Sequence, residues 1–178
     1  MSSDSVDRKI AVILATDVVG YSKHMETNEQ ETVKNLKACE KILTKMLKKH
    51  KGRLFNTGGD SFFIEFPSAV EAAECAVAFQ EEIRKRNTSD NPSIPLEFRI
   101  GLHTGDVIQD KENLLGDGVN IAARLEALAQ PNGVTISKAV YDFIKGNLDH
   151  SLVAFYISFF LVYYNSVMRS FEKSKNVQ

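Results

Sequence analysis

The chain has 178 residues, a length that suits one domain of ordinary size with a little extra. Its 43% hydrophobic and 25% charged residues allow it to bury a core and remain in solution. Because 22 Lys and Arg balance 23 Asp and Glu, no basic field indicates nucleic acid as the main partner.

The N-terminus and the cysteines indicate a cytoplasmic protein. The stretch from Met1 to Lys9 is short and polar, and it lacks the apolar segment of a signal peptide. Cys39 and Cys75 fall in helical patterns without the CxxC spacing of metal or redox motifs. We therefore expect two buried thiols.

The first third of the chain predicts a buried strand and a long helix. The apolar run Ile10–Ala15 predicts the strand, and Asp17 follows it. Gly20 opens into helical sequence, where free backbone N–H groups can bind phosphate. A helix from about Asn28 to His50 has its apolar face at three- and four-residue steps: Leu36, Cys39, Leu43, Met46 and His50.

A β-hairpin is predicted around Gly58-Gly59-Asp60. Two short apolar runs, Arg53–Thr57 and Ser61–Phe66, flank the glycine pair. The glycines supply the positive φ that a tight turn needs. Asp60 is therefore expected at the hairpin tip.

The rest of the chain predicts alternating helices and strands. Ser68 and Glu71 have the spacing of a capping box at the start of a second helix. In order, the predicted elements are a helix at Ser68–Arg86, a loop at Asn87–Pro95, strands at Leu96–His103 and Asp106–Gln109, a helix at Val119–Ala129, a strand at Val134–Ser137 and a helix at Lys138–Lys145.

This order predicts an α+β fold with a ferredoxin-like βαββαβ core and an extra strand and helix. In such a core the first strand lies beside the hairpin. Asp17 and Asp60 would then meet at one edge of the sheet, as two carboxylates that hold divalent cations. Taken alone, each has an ordinary alternative: Asp17 as a helix N-cap and Asp60 as a turn residue.

A second candidate group lies on the helix at Val119–Ala129. Asn120 and Arg124 are four residues apart and project from one face, where they can hold a ribose oxygen and a charged phosphorus centre. An exposed helix face with an ordinary Arg is the alternative. The core-facing stripe is predicted on the opposite side: Ile121, Leu125 and Leu128.

Together these residues resemble the class III nucleotidyl cyclase catalytic domain, of the bacterial adenylate/guanylate cyclase kind. The resemblance covers about residues 8–147. Four ordered blocks carry it: ATDVVGYS at 15–22, GRLFNTGGD at 52–60, RIGLHTG at 99–105 and GDGVNIAARL at 116–125. Four blocks with the right spacing are far more specific than any one of them.

The resemblance implies a role for each site residue. Asp17 and Asp60, with the backbone of Val18, would hold two Mg²⁺ or Mn²⁺ ions, and the amides of Val19, Gly20 and Tyr21 would cradle the triphosphate. Asn120 would position the ribose and Arg124 would stabilise the transition state. In this family the metals are held by one chain, and the base-reading and Asn–Arg groups come from its partner. A chain with both sets therefore implies a symmetric homodimer.

The implied reaction converts ATP, or GTP, into a 3′,5′-cyclic nucleotide and pyrophosphate. The base-reading positions, often charged in the family, are Asn56 and Asn113 here. A carboxamide both donates and accepts hydrogen bonds, so these residues can match adenine or adapt to guanine. We lean towards ATP, and thus towards an adenylate cyclase that serves intracellular signalling.

The composition changes abruptly where the resemblance ends. Residues 1–9 are a polar extension, 10–147 the cyclase domain and 148–178 an aromatic, apolar tail without the family's basic strand pair. The run at 152–164 is shorter than the roughly 20 residues that span a bilayer. It leaves open a helix on a membrane surface, a dimer contact, a substitute strand, or an end altered by truncation or frameshift.

Two other functions are compatible with these features. The atypical tail suggests a regulatory module that binds nucleotide and dimerises without turnover. The GGDSF hairpin also resembles that of diguanylate cyclases, but that family lacks the signature at Val119–Arg124, so this reading ranks last.

Overall fold

Six strands and five helices make up residues 7–147, the part of the chain that the computed structural model describes. The elements follow the predicted order, with a short helix and a short strand added. They are β1 Asp7–Val18, α1 Tyr21–Thr27, α2 Glu29–Lys49, β2 Arg53–Gly58, β3 Ser61–Phe66, α3 Ala69–Ser89, β4 Phe98–Asp110, β5 Asn113–Leu115, α4 Asp117–Leu128, β6 Val134–Ile136 and α5 Lys138–Ile144.

The sheet has the predicted ferredoxin-like order. Its strands lie in the order β2-β3-β1-β4-β5, and β6 pairs in parallel with β4. The hairpin β2–β3 therefore lies directly beside β1, with Thr16 opposite Phe62. At the turn, Gly59 has a φ of 71°, which a residue with a side chain adopts only under strain. The predicted α+β fold class is confirmed.

Two strands are longer than the sequence predicts. β1 and β4 pair continuously over twelve residues, from Asp7 opposite Gln109 to Val18 opposite Phe98. The two strands predicted around Thr104-Gly105 are therefore one, because backbone pairing with β1 keeps this small polar stretch extended. Asp17 correspondingly lies inside β1 and not after it.

The two faces of the sheet are covered unequally. One face packs against α2 and α3 around a large core that includes Leu14, Ile64 and Phe79. The other face carries a smaller cluster around Ala11, Ile13 and Val107. Helix α4 covers this cluster and contributes the partly buried Val119. Because side chains alternate along β1, Asp17 lies on the smaller, α4-covered face with Ile13.

The predicted core-facing stripe of α4 is wrong. Ile121 and Leu125 are only partly buried and Leu128 is 36% exposed, whereas the buried residues of this helix are Gly118 and Ala122. The reason is the close approach of α4 to the sheet, which leaves room for small side chains only.

Helix ends and thiols agree with the sequence. Asn28 and Ser68 cap α2 and α3 with their side chains, but the Glu71 carboxylate contacts Lys51 and His50. Both cysteines are free and buried, as expected.

Candidate functional site

The carboxyl groups of Asp17 and Asp60 converge at one end of the sheet. Asp17 is the penultimate residue of β1, and Asp60 is in the turn between β2 and β3. The two side chains are close enough for Asp17 to raise the pKa of Asp60, and the backbone N–H of Val18 is close enough to lower it. Strand pairing therefore brings together two acids that are 43 positions apart in the sequence.

Ionisation of both carboxyl groups of this pair is unfavourable, because the two negative charges repel each other. Partial burial and then the charge of Asp17 raise the pKa of Asp60 to about 6. Burial and then the charge of Asp60 raise the pKa of Tyr21, so this residue lies in the field of Asp60. A cation between the two carboxylates would relieve the repulsion.

Three polar residues that the sequence analysis did not single out complete this group. Ser61 donates its hydroxyl to Asp17 Oδ1 at 2.7 Å. Arg99 lies directly across the strand pair from Asp17, with its Nη2 3.3 Å from Asp17 Oδ2. Its Nε lies 2.9 Å from Glu126 Oε1 on α4. Arg99 thus bridges β1 and α4; its place in the block at 99–105 was the only available sequence signal.

Glu126 is held in this polar group despite its burial. Its side chain is only 12% exposed, and burial raises the pKa of its carboxyl, with the charges of Asp17 and Asp60 adding to the effect. The guanidinium of Arg99 acts in the opposite direction. Arg99 is therefore the counter-ion of two carboxylates, those of Asp17 and Glu126.

The close contact between α4 and β4 depends on Gly101. A Cβ atom at this position would lie 2.2 Å from the backbone N of Glu126 and 2.3 Å from the carbonyl O of Ala122. No side chain fits between the strand and the helix here. Gly101 therefore sets the distance at which Glu126 meets Arg99.

The turn after β1 leaves two of its three candidate amides available. Val19 N–H donates to the carbonyl of Glu97 at 2.9 Å. Gly20, in the left-handed region, and Tyr21 begin α1, and no hydrogen bond of their N–H groups is found within residues 7–147. Of the three amides predicted to bind phosphate, those of Gly20 and Tyr21 are thus the ones without a hydrogen-bond partner among the described residues.

Asn120 and Arg124 lie on the outer side of α4. Both are exposed, and Arg124 makes no ion pair or hydrogen bond with any residue in the described range 7–147. At 100° per residue they lie about 200° from Ala122, which faces the sheet. Within one chain they therefore face away from Asp17 and Asp60.

The predicted base-reading residues, Asn56 and Asn113, lie on β2 and β5. These strands are the first and last in the sheet order, yet they contact each other, and Arg53 donates to the carbonyl of Glu112 at 2.7 Å. A bulge at Phe55 puts Asn56 opposite Phe63, on the same face as Asp17. Asn56 is exposed, whereas Asn113 is partly buried and accepts from Leu114 N–H.

The donor set of Asp17 and Asp60 fits Mg²⁺ or Mn²⁺. Carboxylate oxygen is the ligand that these hard cations prefer. A divalent cation would offset the repulsion between the two carboxylates. The contact between Arg99 and Asp17 is long, at 3.3 Å, and leaves lone pairs of Asp17 available to bind a cation.

A second group of possible ligands lies between α2 and α3. His50 Nδ1 is 3.4 Å from Glu71 Oε2 and 3.7 Å from Glu74 Oε2. Lys51 already pairs with the other oxygen of Glu71 at 2.8 Å. We interpret this group as a polar cluster, with one ion pair between Lys51 and Glu71, that joins the two helices.

None of the helices within residues 7–147 is long and apolar enough to span a bilayer. The predicted membrane contact at 152–164 lies outside the described residues.

The sequence and the fold are similar to those of known cyclase domains. Residues 4–155 match the family described as "Adenylate and Guanylate cyclase catalytic domain". A Rhizobium meliloti (strain 1021) protein named "Putative adenylate cyclase 3" is 40% identical over 154 residues, or 86% of this chain and 26% of that protein. An adenylate cyclase of Streptomyces coelicolor (strain ATCC BAA-471 / A3(2) / M145) is 30% identical over 137 residues, or 76% of this chain and 34% of that protein. The chain thus spans only about a quarter to a third of these relatives.

Solved structures agree with this assignment. The adenylate/guanylate cyclase/hydrolase from Silicibacter pomeroyi is 29% identical and superposes with a TM-score of 0.75, over 82% of this chain and 85% of that chain. The guanylyl cyclase Cya2 is 25% identical, with a TM-score of 0.70 over 77% and 79%. The chain has the nucleotidyl cyclase fold and belongs to the adenylate and guanylate cyclase catalytic domain family.

Proposed function

We propose that the chain converts ATP into 3′,5′-cyclic AMP and pyrophosphate, in sites that two copies of the chain share. The observation that carries this proposal is the convergence of Asp17 and Asp60 on the α4-covered face. Two neighbouring carboxylates, of which Asp17 raises the pKa of Asp60, are well suited to hold divalent cations beside a triphosphate.

The residues of one chain supply the metal-binding half of a site. Asp17, Asp60 and the backbone of Val18 would hold Mg²⁺ or Mn²⁺, which favours ionisation of the ribose 3′-hydroxyl and neutralises charge on the phosphates. The amides of Gly20 and Tyr21 bind phosphate oxygens at the start of α1, and Val19 holds this turn against Glu97.

The other half comes from the partner. Asn120 and Arg124 face away from the carboxylates of their own chain and are free to reach those of a second copy. Asn120 orients the ribose so that its 3′-oxygen attacks the α-phosphorus in line, and Arg124 stabilises the charge that develops there. A symmetric homodimer then has two equivalent sites.

Asn56 and Asn113 would read the base. Their amides donate to and accept from the Watson–Crick edge, which for adenine means the exocyclic amine and the ring nitrogen beside it. The relatives named adenylate cyclase support ATP as the substrate, while Cya2 is named a guanylyl cyclase. ATP and GTP must therefore be tested side by side.

The direct test is to incubate the purified chain with Mn²⁺ and either ATP or GTP and to measure cyclic nucleotide and pyrophosphate. Asp60→Asn is the matched inactive control. Nucleotide binding by a folded dimer without product would instead indicate a regulatory module. Cyclic di-GMP from GTP would indicate a diguanylate cyclase.

A complementation test addresses the shared site. Asp17→Asn and Arg124→Ala homodimers should both be inactive. After random exchange of equal amounts, half of the dimers are mixed and each has one intact site, so about a quarter of the wild-type activity should return. Mixed dimers that stay inactive would refute the two-chain arrangement.

A further inference from the structure

We propose that Arg99 is a positioning residue that links the two active sites of the dimer. The inference rests on the proposed function, because it requires that Asp17 serves one site while α4 of the same chain serves the other. Arg99 contacts both halves, with its Nη2 3.3 Å from Asp17 and its Nε 2.9 Å from Glu126 on α4.

The strand pairing makes this bridge short and rigid. Asp17 and Arg99 are directly opposed on β1 and β4, and the hydroxyl of Thr16 donates to the carbonyl of Arg99 at 2.8 Å. Both charged side chains are mostly buried, with 28% of Arg99 and 22% of Asp17 exposed. Burial makes their geometry better defined than that of a surface ion pair.

The helix end of the bridge is equally constrained. The side chain of Glu126 is only 12% exposed, and α4 touches the backbone of β4 at Gly101. A shift of the Glu126 backbone therefore moves the helix that carries Asn120 and Arg124. Arg99 thus sets the position of Asp17 in one site and of α4 in the other.

The guanidinium suits this role because of its shape. Its Nη2 donates to Asp17, and its Nε lies at ion-pair distance from Glu126 Oε1 without a hydrogen bond between these two atoms. One planar group therefore contacts carboxylates on a strand and on a helix at the same time. Lys at this position would keep the charge but would reach only one of the two carboxylates. Gln would lose both ion pairs.

Mixed dimers with a single active site separate the effect of Arg99 on Asp17 from its effect on α4. The metal-side protomer carries Arg124→Ala and supplies Asp17 and Asp60. The helix-side protomer carries Asp17→Asn and supplies Asn120 and Arg124. Two affinity tags allow this mixed dimer to be purified, and Arg99→Gln is then placed in either protomer.

We expect different defects in the two placements. In the metal-side protomer, Arg99→Gln should raise the Mn²⁺ concentration for half-maximal activity about tenfold, as loss of a group that orients a metal ligand does. In the helix-side protomer it should lower kcat about tenfold and leave the Mn²⁺ dependence unchanged. Compared with Arg99→Gln, Arg99→Lys should reduce one of these two defects and leave the other unchanged.

Arg8→Gln is the matched control. Arg8 forms a 2.7 Å ion pair with Asp106 between the same two strands, at their other end. Loss of this ion pair should change neither the Mn²⁺ concentration for half-maximal activity nor kcat. Thermal unfolding of each mixed dimer shows that the variants are folded.

The outcomes separate this inference from the proposed function. If the parent mixed dimer makes no cyclic nucleotide, the shared-site function fails. If the parent is active and Arg99→Gln behaves like Arg8→Gln in both placements, the linking role of Arg99 is refuted. Equal loss of kcat in both placements, with no change in Mn²⁺ dependence, would also refute it.

Discussion

Replacing Asp60 with Asn should stabilise the metal-free protein, and increasingly so as the pH rises. Burial and the neighbouring charge of Asp17 raise the pKa of Asp60 from 3.8 to about 6, so the folded protein holds this proton more tightly than the unfolded chain. The stability that this proton provides is complete below pH 3.8 and is lost as the pH rises through about 6. The Asn variant does not have this loss.

The size of the effect follows from the two pKa values. A tenfold change in proton affinity is worth about 1.4 kcal/mol, so a pKa raised from 3.8 to about 6 sets an upper limit of roughly 3 kcal/mol. Asp60 is only partly buried, and solvent screening reduces this to about 1–1.5 kcal/mol. For a chain of this length we expect the melting temperature to rise by about 3–5 °C.

Thermal unfolding between pH 4 and pH 8 in the presence of EDTA tests this expectation. The difference between Asp60→Asn and wild type should grow over this range, mostly between pH 4 and pH 6, and level off above pH 7. Asp110→Asn is the control, because it removes an exposed carboxylate at the end of β4. A difference that does not depend on pH, or a wild type that is the more stable at pH 8, would refute the reasoning.

The same samples with added Mn²⁺ test the proposed ligands. A cation that binds only the folded state stabilises it by about 2.7 kcal/mol at one hundred times its dissociation constant. Wild type should therefore become more stable than Asp60→Asn at pH 8. Equal stabilisation of both proteins by Mn²⁺ would place the cation elsewhere.

Three other predictions follow from the structure. Gly101→Ala should cost about 1–3 kcal/mol or more in urea unfolding, because its Cβ would overlap the backbone of Glu126; a cost within experimental error would mean that α4 moves away freely. Cys39 and Cys75 should resist Ellman's reagent in the native protein and react after denaturation, because burial raises their pKa values to about 11 and about 12; rapid labelling of the native protein would contradict this. Asn56→Ala should lower kcat/KM for the preferred nucleotide about tenfold or more, and an equal loss with ATP and GTP would exclude it as the base-reading residue.

The local elements were largely predictable because each depends on residues close in the sequence. The apolar spacing from Leu36 to Met46 predicted α2 and its buried face, and the Gly58-Gly59 pair predicted the hairpin turn. The order of these elements was sufficient for the ferredoxin-like core. That topology in turn predicted that Asp17 and Asp60 would lie close together.

The failed predictions concern features that depend on distant partners. The continuity of β4 through Thr104-Gly105 comes from pairing with β1. The buried face of α4 was misassigned because the apolar pattern favoured Leu125 and Leu128, whereas the close contact at Gly101 admits only small side chains. Hydrophobicity alone carries no information about the distance between a helix and a sheet.

The sequence by itself determined most of the elements, their order and the two acids that the topology joins, because apolar periodicity and turn residues act locally. Only the tertiary structure decided which groups surround those acids. Arg99 reaches Asp17 and Glu126 because three elements pack together, and ion pairs between distant residues leave no periodic pattern in the chain. The direction in which Arg124 faces is likewise a result of how α4 packs on the sheet.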